Sequence, residues 1–306
     1  VVKAAAYLEA GNYVTAGKWY HDIGECGAKY LPKNDKHQLG AILGEAQVAY
    51  ALGDVRAALD ICKKNMPSFE RTFGKNSNET LTAKRIFGGS YQYLGQYDSS
   101  QKIFRETLAS CRKAFGETDV RTVAAGIDLA HLHAQMGNVQ EANQVFGEPN
   151  VAVWKVLDQN PKLMCDFLQV AAMAYRLTGE ILKSNTACDE WEKTAKDAYG
   201  KERAERLLFP LMCERSKLFM DFGGAEVLMK IYAPALNVYC SLVSEYHPLA
   251  LEMTCLMAES NLSLGKTKDA ETLANYACKL AEERFGLEDR PTLLARLALA
   301  KVYRAQ

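Results

Sequence analysis

Residues 88–116 read GGSYQYLGQYDSSQKIFRETLASCRKAFG, and the placing of small, aromatic and glycine residues in this stretch decides the fold. Its Gly95 is one of seven glycines in frame: Gly11, Gly53, Gly95, Gly137, Gly179, Gly223 and Gly265, at successive spacings of 42, 42, 42, 42, 44 and 42. Self-similarity at a fixed period marks an array of stacked units. Because the chain holds 21 glycines, the ladder needs support from other positions in the same frame. Seven residues before each glycine, and before the next expected position at 307, stand Ala4, Ala46, Gly88, Ala130, Ala172, Ser216, Ala258 and Ala300, all small. Five after it come Ala16, Ala58, Ser100, Ala142, Ser184, Leu228 and Ala270, where only Leu228 departs. Nine after it come Tyr20, Cys62, Phe104, Phe146, Cys188, Tyr232 and Ala274, and four before it an aromatic recurs at Tyr7, Tyr91, Tyr175, Phe219 and Tyr303.

This pattern predicts two helices joined by a tight turn. Glycine adopts the left-handed backbone that ends a helix, so it separates two stretches rich in helix formers. Small residues on either side let the helices approach, and a large side chain one turn away fills the remaining space. One helical pair cannot bury enough apolar surface to offset its ordering entropy, so neighbouring pairs must stack. Phe73-Gly74, Phe115-Gly116, Tyr199-Gly200 and Phe285-Gly286 fall 20 and 21 residues after the repeat glycine and end the second helix. Loops are expected at Lys75–Thr80, Glu117–Thr122 and Leu287–Thr292.

Composition narrows the function. Lys plus Arg and Asp plus Glu both total 37, so no excess of positive charge exists to neutralise phosphates, and nucleic acid is not an expected partner. No apolar run reaches the length of a membrane span, and Val1–Ala10 lacks the features of a secretory signal. With no initiator Met, the chain is expected to be a fragment of a longer protein. Nine evenly spread cysteines, none in a C-x-x-C pair, are expected to be reduced, buried thiols in a cytoplasmic compartment.

At these residues the chain resembles the tetratricopeptide repeat family, in its form of about 42 residues found in kinesin light chains and in the sensor ends of STAND-type signalling ATPases. Leu280–Gln306, LAEERFGLEDRPTLLARLALAKVYRAQ, and Ile103–Phe146 carry the resemblance most fully, and it extends over nearly the whole chain. It implies an all-α fold: a right-handed α-α superhelix, or solenoid, of about seven and a half hairpins forming one domain over 1–306. HEAT-like repeats, which share a similar period, are the alternative. Irregular repeats are expected at about 138–165, where Gly147, Pro149 and Asn150 interrupt a second helix, and at about 201–235, where two extra residues fall after Gly200.

No arrangement for catalysis emerges. His131 and His133 lie two apart on a helix and face different ways, which excludes a shared metal, and His133 fits the aromatic column as a packing residue. Gly265-Lys266-Thr267 lacks the earlier glycine of a phosphate loop, because Ser260 stands there. Paired carboxylates such as Glu282-Glu283 are solvated charges, and Cys62 and Cys188 occupy the large-residue column. The chain is therefore expected to be no enzyme, with no catalytic, cofactor or metal residue.

The resemblance implies that the first helix of each hairpin lines a concave groove, with positions 10, 6, 3 and 2 before each repeat glycine facing it. These include Gln47, Arg85, Gln92, His131, Gln135, Gln169, Arg176, Lys217 and Glu259, with Lys301 and Arg304 further on, and with Tyr50 and Tyr93 as apolar contacts. Amides mixed with cations fit a protein or an extended peptide carrying some acidic residues. The expected function is non-catalytic protein binding, as an adaptor or as the sensing end of a signalling protein. Self-association into a scaffold through stacked hairpin faces is the alternative.

Overall fold

The computed structural model describes residues 1–32, 34–146, 151–200 and 208–306. Every regular element among them is a helix. In chain order these are α1 (Val2–Glu9), α2 (Tyr13–Tyr30), α3 (Lys36–Ala51), α4 (Val55–Phe73), α5 (Asn78–Leu94), α6 (Tyr97–Phe115), α7 (Val120–Gln135) and α8 (Val139–Phe146). There follow α9 (Val151–Asp158), α10 (Pro161–Leu177), α11 (Ile181–Tyr199), α12 (Phe209–Asp221), α13 (Ala225–Leu242), α14 (Pro248–Ser263), α15 (Thr267–Arg284) and α16 (Arg290–Ala305). The chain divides into two compact units: unit 1 holds Val1–Gln92 and Gln96–Leu163, and unit 2 holds Tyr93–Gly95 and Met164–Gln306.

All seven frame glycines sit between two helices with φ from 74° at Gly265 to 83° at Gly53, the left-handed region. The residue after each glycine donates its backbone N–H to the carbonyl five positions back: Asn12 to Tyr7, Asp54 to Ala49, Gln96 to Tyr91, Asn138 to His133, Glu180 to Tyr175, Gly224 to Phe219 and Lys266 to Asn261, at 2.7–2.9 Å. This bond closes the last helical turn and leaves only glycine without steric cost at the bend. The same residue starts the next helix, and the side chains of Asn12 and Asp54 accept from Thr15 N and Ala57 N.

The columns explain the packing. Ala4, Ala46, Gly88, Ala130, Ala172, Ser216 and Ala258 are all buried, as are Ala16, Ala58, Ser100, Ala142, Ser184, Leu228 and Ala270 across the bend. Close approach is forced where the partner is large: a methyl group at Gly88 would stand 2.4 Å from the Phe104 ring, and one at Gly44 would stand 2.2 Å from the Tyr20 ring. Unit 1 is filled in this way around Leu39, Leu43, Ala46, Cys62 and Phe69, and around Phe104, Leu108, Leu129 and Leu132. Unit 2 is filled around Leu168, Cys188, Trp191 and Leu211, and around Phe209, Leu228, Tyr232 and Met253. Ring stacking of Phe209 on Tyr239, with centroids 3.6 Å apart, belongs to the second of these.

The second helices stop as expected at Phe73, Phe115 and Tyr199, each before a left-handed glycine (Gly74, Gly116, Gly200). In contrast, α15 ends one residue earlier, with extended Phe285 as its cap and Gly286 N–H donating to Asp289. Loops prove shorter than expected, because Thr80, Thr122 and Thr292 are buried inside the first turn of the following helix. Thr80 and Thr292 donate their hydroxyls to the carbonyls of Phe69 and Ala281, eleven residues back, tying each hairpin to the one before.

The expected interruption at Gly147, Pro149 and Asn150 lies outside the described residues; α8 stops at Phe146 and α9 starts at Val151. Most of the stretch Lys201–Pro210 lies outside them too, and α12 that follows has 13 residues where α14 has 16. Seven of the nine cysteines are buried as free thiols; Cys240 is half-buried, and Cys26, which was expected to be buried, is exposed on α2. Burial pushes the Cys62 and Cys165 thiols up to about 12 and that of Cys188 to about 11, so they stay protonated.

Candidate interaction surface

The residues expected to meet a partner lie on first helices, and the structure brings several of them together. In unit 1, α3 carries Gln47 and Tyr50, both half-buried. A methyl group at Gly89 on α5 would stand 2.4 Å from the Tyr50 hydroxyl, so glycine there is what lets the ring lie against the next hairpin. On α5, Arg85 pairs with Asp128 of α7 at 2.9 Å. Gln92, only 7% exposed, donates from Nε2 to Gln135 Oε1 at 2.6 Å and lies 3.0 Å from His131 Nδ1, which accepts. Four expected residues, Arg85, Gln92, His131 and Gln135, thus form one polar strip across α5 and α7.

In unit 2 the expected ions Arg176, Lys217 and Glu259 are each paired with charged side chains of the first helices. Arg176 of α10 stands 3.6 Å from Glu214 and 3.4 Å from Asp221, both on α12. Lys217 lies 2.6 Å from Glu214 and 2.8 Å from Glu252 of α14, which also takes Arg290 of α16 at 3.3 Å. Glu259 pairs with Lys301 at 2.8 Å. Burial raises the Glu252 carboxyl, but the charges of Lys217 and Arg290 outweigh it and hold the group well below the usual carboxylate range. Burial likewise lowers the Lys217 ammonium, and Glu214 and Glu252 more than restore it, so both partners are charged.

Gln169 is half-buried on α10. Tyr93 belongs to unit 2, its ring edge-on to that of His247 with centroids 6.1 Å apart; burial, with the charge of Glu252, raises its hydroxyl. His247 is buried and neutral, its Nδ1 accepting from Leu249 N at the start of α14, and burial alone brings its ring down to about 3. His133 is buried in the aromatic column, and burial, helped by Arg105, lowers its pKa. No group of acidic, His and Cys side chains among the described residues has metal-site geometry, and no described helix is long and apolar enough to cross a membrane.

Sequence reasoning missed the partners of the expected ions: Asp128, Glu214, Asp221, Glu252 and Arg290. A signal for them existed. Arg85 and Asp128 are 43 residues apart, Arg176 and Asp221 are 45 apart, and Glu259 and Lys301 are 42 apart. Opposite charges about one period apart stand at matching heights on consecutive first helices.

The tetratricopeptide repeat family matches residues 84–148. A clustered mitochondria protein homolog of Neosartorya fischeri is 27% identical over 113 residues, 35% of this chain, and the match takes up 9% of that relative's length. Among solved structures, a Rap protein complexed with competence and sporulation factor superposes with a TM-score of 0.54 at 13% identity, covering 99% of this chain and 73% of that one. The Rap conjugation gene regulator of plasmid pLS20, in complex with the Phr* peptide, gives 0.51 at 15% identity, with 98% and 73% covered.

Proposed function

We propose that this chain, whose residues 84–148 match the tetratricopeptide repeat family, holds a partner protein or peptide along the groove side of its first helices and performs no chemistry of its own. The observation that carries this reading is the gathering of Arg85, Gln92, His131 and Gln135 into one polar strip on consecutive first helices. The Rap conjugation gene regulator, whose fold is similar, is in complex with the Phr* peptide, and a peptide is the guest we propose here. Such a module serves as an adaptor or as the sensing end of a larger signalling protein, in a cytoplasmic compartment that keeps its nine thiols reduced.

In either unit, acidic residues on a guest would compete with the carboxylates already paired to its cations, Asp128 in unit 1 and Glu214, Asp221 and Glu252 in unit 2. Among Arg85, Arg176 and Lys217, Arg85 is the most open, its side chain 42% exposed. An array of random peptides probed with the whole chain tests the function: reproducible binders are expected, and a chain that retains none of them is not a peptide receptor.

A second reading, self-association, is favoured by α16. Its Leu293, Leu297 and Tyr303 are exposed, whereas Leu251, Cys255 and Asn261, 42 residues earlier, are buried. A second copy stacked on α16 would cover them. Sedimentation that shows only monomer at every concentration would remove this reading.

A further inference from the structure

In unit 1 the cations Lys84 and Arg85 of the first helix α5 are matched, by Glu70 and Asp128. Several on the solvent side of the second helices are not. Ten residues after the repeat glycine stand Lys63 of α4 and Arg105 of α6, and eighteen after it stand Lys29 of α2, Arg71 of α4 and Lys113 of α6. All five are exposed, and none has an ion-pair partner among the described residues. In total α4 and α6 each carry four Lys and Arg against two Asp and Glu. A cation near a helix C-terminus is favoured by the dipole, but the dipole does not fix these positions. In unit 2 the second helices α11, α13 and α15 hold Asp189, Ala233 and Asn275 ten after the glycine, and Asp197, Ser241 and Glu283 eighteen after it. There Lys196 and Arg284 serve the last turns of α11 and α15, and each of those helices carries three cations against four carboxylates.

We propose that the solvent side of α4 and α6, with Lys29 of α2 at its edge, docks an acidic polypeptide segment, independently of the groove side of the first helices. Unmatched cations repeated from hairpin to hairpin repel one another, and carboxylates brought between them turn that repulsion into attraction. No large apolar or aromatic side chain of α4 or α6 is exposed, so nothing on these two helices stacks on a base or anchors in a lipid layer. Asp60 and Glu106, both exposed, stand among the cations. A nucleic acid bears a phosphate at every unit and is repelled by them, whereas a polypeptide can set an uncharged or basic side chain opposite each.

The test uses the whole chain and a fluorescent peptide of alternating glutamate and serine. Polarisation at low ionic strength compares the wild type with Lys63→Glu plus Arg105→Glu, and with Arg71→Glu plus Lys113→Glu. A control, Lys193→Glu plus Lys279→Glu, makes the same change of charge on the second helices of unit 2. All these side chains are exposed, so thermal melting should stay as in the wild type. The expected result is binding about tenfold weaker for each unit 1 pair, a change of less than about twofold for the unit 2 pair, and affinity that falls as salt is added. Should one unit 1 pair melt early, the other decides. A wild type that does not bind the peptide, unchanged binding by the unit 1 pairs, or an equal loss on the unit 2 pair overturns the proposal. So does tighter binding of an oligothymidylate or of phosphatidylserine vesicles than of the peptide. None of these substitutions touches a first helix, so such a failure leaves the groove reading to its own test.

Discussion

Lys217→Met should destabilise unit 2 without removing any apolar contact. Lys217 Nζ stands 2.6 Å from Glu214 and 2.8 Å from Glu252, and the three side chains are 20%, 6% and 11% exposed. Removing one partner of a buried ion pair costs about 3–5 kcal/mol, because the remaining charge is left without compensation. Here each carboxylate keeps a second cation, Arg176 at 3.6 Å and Arg290 at 3.3 Å, which places the cost near the lower end, about 3 kcal/mol. Urea unfolding followed by circular dichroism gives the loss, and amide exchange on α12 and α14 locates it. Adding Glu214→Gln to the Met variant should cost less than the same change in the wild type, since no ammonium is then left behind. An Lys217→Met chain within about 0.5 kcal/mol of the wild type, the range of ordinary surface changes, would refute a structural role for these ions.

Other outcomes follow from the same packing. His247 is neutral in the folded chain, with its ring pKa lowered from 6.5 to about 3, so between those values only the unfolded chain binds the extra proton, and stability drops as the pH is lowered. Unfolding titrations at pH 7 and pH 5 should differ by about 2 kcal/mol from this group, and His247→Asn, which keeps an acceptor for Leu249 N, should abolish that part of the difference. Gly88→Ala should cost about 1–3 kcal/mol in thermal or denaturant unfolding, because its methyl would meet the Phe104 ring at 2.4 Å, and Phe104→Cys should relieve it. Thiol titration of the folded chain should label Cys26 first, with Cys62, Cys165 and Cys188 reacting only on unfolding.

What the sequence alone determined is whatever depends on one hairpin. Gly53 or Gly137 marks a bend because no other residue enters the left-handed region cheaply, and Gly88 must be small because Phe104 lies opposite it. These are short-range steric rules that repeat with each copy of the unit, so residue spacing shows them, and with them the all-α repeat fold. The charged residues obey no such rule. Gln92, His131 and Gln135 could be named from their position as candidates for a groove, yet only the folded chain shows that Gln92 spends its donors on the other two. Arg176 and Lys217 could be read as cations awaiting a guest, and the fold instead supplies Glu214, Asp221 and Glu252 from the following hairpins. With 37 charges of each sign the sequence allows many pairings. Coulombic attraction and hydrogen bonding act through space, and stacking decides which opposite charges stand within 4 Å and out of water.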